Sequence, residues 1–216
     1  MNELLIDGVY FHPRRPRGAF GRGRAGAFLD RDGVVIDLVE YLHRAEDVRL
    51  APGAAETIAA LNAAGVPVIV VTNQSGIGRG YYDWAAFEAA QAEVDRQLAT
   101  GGATLDAVVA CPFFADGVPP YRHADHPARK PNPGMVRLAA EWFEMDTARS
   151  WLVGDSVSDI ETAARAGMAG AIHVATGYGA RDRAAVLAKT YGLLRVECRA
   201  DLGDCLQLLG ATLVRG

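Results

Sequence analysis

The sequence has few cysteines and no long apolar segment, and both absences limit the classes of protein to consider. Its 216 residues include three cysteines, scattered along the chain as Cys111, Cys198 and Cys205. An odd, scattered set does not indicate a disulfide framework, and reduced thiols in a cytoplasmic protein are the simplest interpretation. No apolar run approaches the roughly 20 residues of a membrane-spanning helix, and the N-terminus has no apolar core of a secretory signal.

The chain also lacks an excess of positive charge. Its 22 Lys and Arg residues against 26 Asp and Glu residues give a net charge of −4. We therefore expect neither nucleic acid nor a membrane among its partners. Half of the residues are hydrophobic, so a chain of this length can bury one substantial core.

Residues 1–25 differ in composition from the rest of the chain. Hydropathy alternates weakly over residues 1–11, which is compatible with an edge strand, and residues 12–18 and 21–24 are basic and rich in Gly or Pro. A segment of this kind is usually a solvated tail, and an anion-binding arm near a functional site is the alternative. We accordingly expect an N-terminal extension, residues 1–25, followed by one domain, residues 26–216.

The most informative segment is residues 27–34, in which a short apolar run ends in Asp30, Arg31, Asp32 and Gly33. A buried strand is an unfavourable place for an acid unless the acid is paired or binds a metal. Two carboxylates, two residues apart at a glycine turn, therefore indicate a hard-cation site with a carboxylate nucleophile. An ordinary strand that runs into an Asp-Gly turn would show the same pattern.

Three further segments place polar residues at the end of a strand or the start of a helix. An apolar run ends in Thr72 and Asn73, whose turn offers a hydroxyl and backbone N–H groups to an oxyanion. Arg129 and Lys130 precede a helix start, and another short apolar run ends in Asp155. Each segment alone has an ordinary structural explanation, whereas their agreement in order and context favours a function.

In this order the four segments resemble the haloacid dehalogenase superfamily of phosphohydrolases, over about residues 27–180. The resemblance implies that Asp30 is phosphorylated and that Asp32 is the general acid and base. It further implies that Thr72 and Lys130 hold the transferred phosphoryl group. Mg²⁺ would be bound by Asp30, Asp155 and the backbone carbonyl of Asp32.

Two residues that follow Asp155 bear on this assignment. Ser156 stands where the most similar members of the superfamily usually have Lys or Arg, so a cation near the phosphoryl group or the metal is missing. Two roles are open to Asp159: it binds the metal through water, or it orients Lys130 or its loop. We favour the second role.

Strand and helix patterns alternate from residue 25 onward. The predicted strands are residues 27–29, 66–71, 107–111, 151–153, 171–175 and 193–196, and the predicted helices are residues 54–64, 83–98, 133–143, 158–166, 182–190 and about 202–209. This alternation predicts an α/β fold, a Rossmann-like parallel sheet with helices on both faces, whose ligands bind beyond the carboxyl ends of the strands. These elements fill the segments between the motifs, so we expect no cap domain.

The loops at residues 30–33, 72–80 and 129–135 look like those of one capless group within the superfamily. The group comprises D-glycero-D-manno-heptose 1,7-bisphosphate 7-phosphatases and histidinol-phosphate phosphatases, and residues 40–43 resemble its specificity loop. The resemblance implies that Arg129 contacts the polar part of the substrate and that Asn73 helps to bind the phosphate.

The activity implied is Mg²⁺-dependent hydrolysis of a small phosphorylated sugar, with the heptose bisphosphate as the first candidate, by a monomer or weak dimer. Alternatives are histidinol phosphate or another sugar phosphate as the substrate, a phosphosugar-binding protein without turnover, and a phosphotransferase. The last would usually need a cap that excludes water.

The same group commonly carries a structural zinc loop before its Arg-Lys pair. Here Cys111 is retained, but Phe113 stands where a His is expected. Cys111, His123 and His126 could supply three ligands at most, whereas a structural zinc site needs four. We therefore expect the structural zinc to be absent.

Overall fold

The computed structural model describes residues 4–214, in which three strands come first and strands and helices alternate after residue 27. The strands are β1 (Leu5–Ile6), β2 (Val9–Pro13), β3 (Ala27–Leu29), β4 (Val68–Asn73), β5 (Ala107–Cys111), β6 (Trp151–Gly154), β7 (Gly170–Val174) and β8 (Arg195–Arg199). The helices are α1 (Ala54–Ala63), α2 (Ser75–Gly78), α3 (Trp84–Thr100), α4 (Gly134–Phe143), α5 (Val157–Ala166), α6 (Gly179–Leu187) and α7 (Leu206–Leu213).

All eight strands belong to one sheet in the order β1-β2-β5-β4-β3-β6-β7-β8. The six strands from β5 to β8 in this order are parallel. The strands β1 and β2 add an antiparallel pair at one edge. The predicted α/β fold is confirmed, with this antiparallel edge as an addition to the expected parallel sheet.

Helices cover both faces of the sheet and form two apolar clusters with it. One cluster joins α1, α3 and α7 to the sheet, and the other joins α4, α5 and α6. Strand β3 lies between them, with Phe28 in the second cluster and Ala27 and Leu29 in the first. A strand covered on both faces needs apolar residues at every position, which explains the continuous apolar runs in the sequence.

The N-terminal region contributes to this sheet and to its packing. Residues 5–13, expected in a separate extension, supply β1 and β2, and Tyr10 pairs with Ala110 of β5. Two of the arginines that follow are paired with acids of the domain, Arg14 with Asp95 and Arg15 with Asp106.

The basic segment lies near the amino ends of the central strands. Gly26 N donates to Ser150 Oγ at 3.0 Å, and Trp151 N donates to Gly26 O at 3.1 Å, just before β6 begins. The carboxyl ends of the strands are at the opposite edge, so this geometry does not support an anion-binding arm beside the predicted site. Residues 1–3 of the predicted edge-strand segment lie outside the described residues.

Most element bounds agree with the predictions to within a few residues. Both glycines expected to stop helices, Gly65 and Gly167, have positive φ angles, of 68° and 70°. The largest shifts are near the C-terminus, where β8 begins at Arg195 because it pairs with Gly170 of β7, and α7 begins at Leu206. The short helix α2 was not predicted, because four residues that include two glycines give little periodic signal.

Candidate active site

The predicted site residues meet at the carboxyl ends of three adjacent strands, β4, β3 and β6. Asp30 follows β3 directly, and its backbone N donates to Val153 O of β6 at 2.9 Å. Thr72 is the last residue but one of β4, and Asp155 follows β6. Lys130 reaches them from the loop between β5 and α4. Parallel strands thus bring together residues that are far apart in the sequence.

Lys130 is buried between two carboxylates. Its Nζ lies 2.8 Å from Asp30 Oδ1 and 2.6 Å from Asp159 Oδ1. Burial alone would lower the pKa of Lys130, but Asp159 and Asp30 outweigh burial and raise this pKa above its usual value. Lys130 therefore remains a cation at neutral pH and offers its charge to an anionic ligand beside Asp30.

The carboxylates of three buried aspartates lie close together beside Lys130. Oxygen atoms of Asp30, Asp155 and Asp159 all lie within 4.8 Å of one another. Burial, reinforced by the neighbouring Asp159, raises the pKa of Asp155 to about 7. Burial raises the pKa of Asp30 well above its usual value, although Lys130 opposes that effect. One lysine does not balance three ionised carboxylates, so ionisation of all three is unfavourable unless a further cation binds there.

This donor set fits a hard divalent cation such as Mg²⁺, because it offers carboxylate oxygens and no soft ligand. The backbone also passes close to Asp155. A Cβ added at Gly33 or Gly177, which have φ angles of +85° and +57°, would lie 2.4 Å or 2.0 Å from Asp155 Oδ2. Tyr178 N donates to the same oxygen at 2.7 Å, which fixes the carboxylate.

Asp159 is held by its own helix as well as by Lys130. Ser156 is the N-cap of α5, and its backbone N and Oγ donate to Asp159 Oδ2 at 3.0 Å and 2.6 Å. With Oδ1 on Lys130 and Oδ2 on Ser156, both oxygens have partners. This geometry favours the role of orienting Lys130 over binding the metal. Ser156, which stands where similar superfamily members usually have Lys or Arg, is thus the cap of this helix.

Asp32 has different surroundings from Asp30 and faces a cavity. Its oxygens accept hydrogen bonds from Arg31 Nε and Nη2 at 3.2 and 3.1 Å, and from Gln74 Nε2 at 2.9 Å. Thr72 Oγ1 lies 3.4 Å from Asp32 Oδ2. Arg31 and Gln74, which bind the Asp32 carboxylate here, were not singled out from the sequence, although both lie within the motifs that revealed Asp32 and Thr72.

The two residues predicted to contact substrate, Asn73 and Arg129, hold backbone groups in this structure. Asn73 Nδ2 donates to Lys130 O at 3.2 Å, and its Oδ1 accepts from Lys130 N at 3.0 Å, which clamps the lysine's backbone. Arg129 Nη1 donates to Phe113 O at 2.8 Å, and its guanidinium lies over the Phe114 ring. Their contacts with a substrate stay predictions.

A cavity of about 180 Å³ opens beside Asp32. Residues 38–42, which overlap the expected specificity loop, line one side, and Gln74, Tyr82 and Tyr178 also line it. Its walls combine aromatic rings with hydroxyl, amide and carboxylate groups. Such a lining suits a small ligand with many hydroxyl groups.

The loop that follows β5 is packed by aromatic rings. The Phe113 ring stacks on the His126 ring with their centroids 3.7 Å apart and their planes 5° apart. Among residues 4–214, the Cys, His, Asp and Glu side chains grouped closely enough to hold a metal are those of Asp30, Asp155 and Asp159. The absence of structural zinc stays a prediction.

Comparison with known proteins shows similarity over nearly the whole chain. A family model of haloacid dehalogenase-like hydrolases matches residues 27–97, and one described as HAD-hydrolase-like matches residues 127–193. The D-glycero-β-D-manno-heptose-1,7-bisphosphate 7-phosphatase of Mesorhizobium japonicum is 39% identical over 201 residues, which cover 93% of this chain and 85% of the relative. The Pseudomonas aeruginosa enzyme of the same name is 40% identical over 159 residues, covering 73% of this chain and 85% of the relative.

Solved structures agree with the sequence comparison. A candidate HAD-like phosphatase from Mesorhizobium loti superposes with a TM-score of 0.85 at 35% identity, covering 100% of this chain and 97% of that one. The D,D-heptose 1,7-bisphosphate phosphatase from B. bronchiseptica, complexed with magnesium and phosphate, has a TM-score of 0.74 at 34% identity, covering 86% of this chain and 97% of that one. Within residues 4–214, no helix has the length and hydropathy needed to cross a membrane.

Proposed function

Because the chain belongs to the haloacid dehalogenase-like hydrolases, we propose that it is a Mg²⁺-dependent phosphatase that removes the 7-phosphate of D-glycero-D-manno-heptose 1,7-bisphosphate. Relatives with this activity align with up to 93% of the chain. The observation that carries the proposal is the position of Asp30, whose carboxylate is 2.8 Å from the buried Lys130 cation within an all-oxygen donor set.

The first step of the proposed reaction transfers the phosphoryl group to Asp30. A carboxylate oxygen of Asp30 forms a bond to phosphorus while the bond from phosphorus to the sugar oxygen breaks. Asp32, which faces the cavity, gives a proton to the departing sugar oxygen. The sugar then leaves with a free hydroxyl group.

The second step restores the enzyme. Asp32, now ionised, takes a proton from water while the water oxygen attacks the phosphorus of the aspartyl-phosphate. The bond between phosphorus and the Asp30 oxygen breaks, and inorganic phosphate is released. One carboxyl group thus acts as the acid in the first step and as the base in the second.

The main obstacle to both steps is electrostatic repulsion between the negatively charged phosphoryl group and the buried carboxylates. Mg²⁺, held by Asp30, Asp155 and the backbone carbonyl of Asp32, would offset that repulsion when bound. Lys130 adds a fixed positive charge next to Asp30, and the Thr72 hydroxyl is available as a hydrogen-bond donor to a phosphoryl oxygen.

We also propose that the protein works in the cytoplasm as a monomer or weak dimer, with the sugar phosphate as its partner and no nucleic acid or membrane bound. The three cysteines are unpaired in the structure, and two of them are buried, which supports a reducing compartment.

The proposed function is tested by phosphate release in the presence of Mg²⁺ from both anomers of the heptose bisphosphate, from histidinol phosphate and from monophosphorylated sugars. We expect the highest kcat/KM for a heptose bisphosphate, with ³¹P NMR showing that the phosphate on C1 is retained. A higher kcat/KM for histidinol phosphate, or no phosphate release from any of these esters, would overturn the proposal.

A further inference from the structure

A chain of hydrogen bonds runs from Tyr82 to the carboxylate of Asp32. Tyr82 Oη donates to Gln74 Oε1 at 2.5 Å. On the other side of the same amide, Gln74 Nε2 donates to Asp32 Oδ2 and to Thr72 Oγ1, both at 2.9 Å. Neither Tyr82 nor Gln74 has a role in the reaction described above.

The Asp32 carboxylate determines which way the Gln74 amide points, and the tyrosine hydroxyl binds the other end of the amide. Burial raises the pKa of Tyr82 to about 12, so its hydroxyl keeps its proton at neutral pH and acts as a donor. The Asp32 carboxylate only accepts hydrogen bonds, so the Gln74 nitrogen faces Asp32 and the Gln74 oxygen faces Tyr82, whose hydroxyl donates to it. With the amide reversed, its oxygen would lie against the carboxylate and the hydrogen bond to Asp32 would be lost.

The Tyr82 ring is itself held in place. It stacks on the His43 ring, with centroids 5.4 Å apart and planes 13° apart. Its edge lies so close to the backbone at Gly76 that a Cβ there would be 2.2 Å from the ring. A ring fixed on both sides presents its hydroxyl at a defined point, and a fixed donor orients an amide better than a mobile one does.

We propose that Tyr82 is a positioning residue that acts through Gln74 to hold the Asp32 carboxylate where it can reach the leaving oxygen and the attacking water. This inference rests on the proposed phosphatase activity, in which Asp32 moves the protons. Arg31 holds the same carboxylate from the other side, so the loss of Tyr82 alone should displace Asp32 and not release it.

The first test removes only the hydroxyl, with Tyr82→Phe. We expect kcat for the sugar phosphate to fall about tenfold with KM changed less than about twofold, part of the roughly 100- to 10,000-fold that acid–base catalysis contributes. Tyr10→Phe is the matched control: the pKa of Tyr10 is also raised to about 12 by burial, and its hydroxyl bonds to His12 Nδ1 at 3.3 Å in β2. Its kcat should equal that of the wild type.

The second test asks whether Tyr82 acts through Gln74. Gln74→Met keeps the length of the side chain but makes none of the three hydrogen bonds of Gln74, so adding Tyr82→Phe to it should cause no further loss of kcat. A tenfold loss in both backgrounds would mean that Tyr82 acts independently of Gln74 and would overturn the proposal.

The third test separates positioning of Asp32 from general damage to the site. The anion of 4-nitrophenol leaves without needing a proton, so Tyr82→Phe should slow single-turnover phosphorylation by 4-nitrophenyl phosphate less than phosphorylation by the sugar phosphate. Equal slowing with both esters, a rise in KM at unchanged kcat, or wild-type kcat in Tyr82→Phe would overturn the proposal while leaving the phosphatase function standing. A wild-type protein that hydrolyses neither ester would overturn both.

Discussion

Asp30 and Asp32 are two residues apart, yet the structure gives their carboxylates different surroundings. Asp30 is buried against Lys130, with Asp155 and Asp159 close by. Asp32 faces the cavity and is bound by neutral and cationic donors. This difference suits a division of labour in which the first carboxylate attacks phosphorus and the second transfers protons.

At the residue scale we predict that Asp32→Asn slows both chemical steps. The amide can neither protonate the leaving oxygen nor take a proton from water, so kcat should fall by about 100- to 10,000-fold. Rapid-quench measurement of the sugar released and of the phosphate released gives the two rates separately. A variant with wild-type rates for both would contradict the assignment of Asp32 as acid and base.

At the scale of the elements, strand ends and helix starts explain why much of the site could be predicted from the sequence. Asp30, Thr72 and Asp155 each follow a short apolar run that predicts a buried strand, and parallel strands end at a common edge. The sequence could not predict that Tyr82 would bind Gln74 or that Asn73 would clamp the backbone of Lys130. Those contacts depend on how loops from different parts of the chain approach one another.

In helix α5, Asp159 has two structural roles: it takes part in the capping box and it binds Lys130. Ser156 and Asp159 form a capping box at its start, a pattern readable in the sequence as a hydroxyl followed three residues later by an acid. The contact between Asp159 and Lys130 is long-range and was open to two interpretations at the sequence level. Local capping was therefore predictable, whereas the choice between orienting the lysine and binding a metal needed the three-dimensional arrangement.

The loop between β5 and α4 leads to a prediction about zinc. Because the resemblance places Phe113 where a zinc-binding His is expected, and its ring stacks on His126, we expect the purified protein to contain well under one zinc per chain by metal analysis. Removing trace metal with a zinc-selective chelator should leave Tm unchanged. Stoichiometric, tightly bound zinc would contradict this expectation and would point to Cys111, His123 and His126 with a further ligand.

At the scale of the whole molecule, the carboxylate cluster should make stability depend on pH when no metal is bound. Burial raises the folded-state pKa of Asp155 to about 7, whereas an unfolded Asp titrates near pH 4. Between these values the folded state binds more protons than the unfolded state, so stability falls as pH rises through this window.

Mg²⁺ should reverse this loss because it binds the ionised carboxylates. We therefore predict that the Tm measured with Mg²⁺ exceeds the Tm measured with a chelator by more at about pH 8 than at about pH 5. Taking the difference between Tm with Mg²⁺ and Tm with the chelator at each pH cancels what groups elsewhere contribute to the pH dependence of stability. One such group is His173, whose pKa is lowered by burial. An equal or smaller increase at the higher pH would contradict the proposed site.

In the proposed reaction, Asp30 carries the phosphoryl group during turnover. Mass spectrometry of peptides from enzyme quenched in acid during hydrolysis of the heptose bisphosphate tests this most directly. We predict a phosphate adduct on the peptide that contains Asp30, and neither adduct nor turnover in Asp30→Asn. An adduct on another residue, or wild-type turnover by Asp30→Asn, would contradict it.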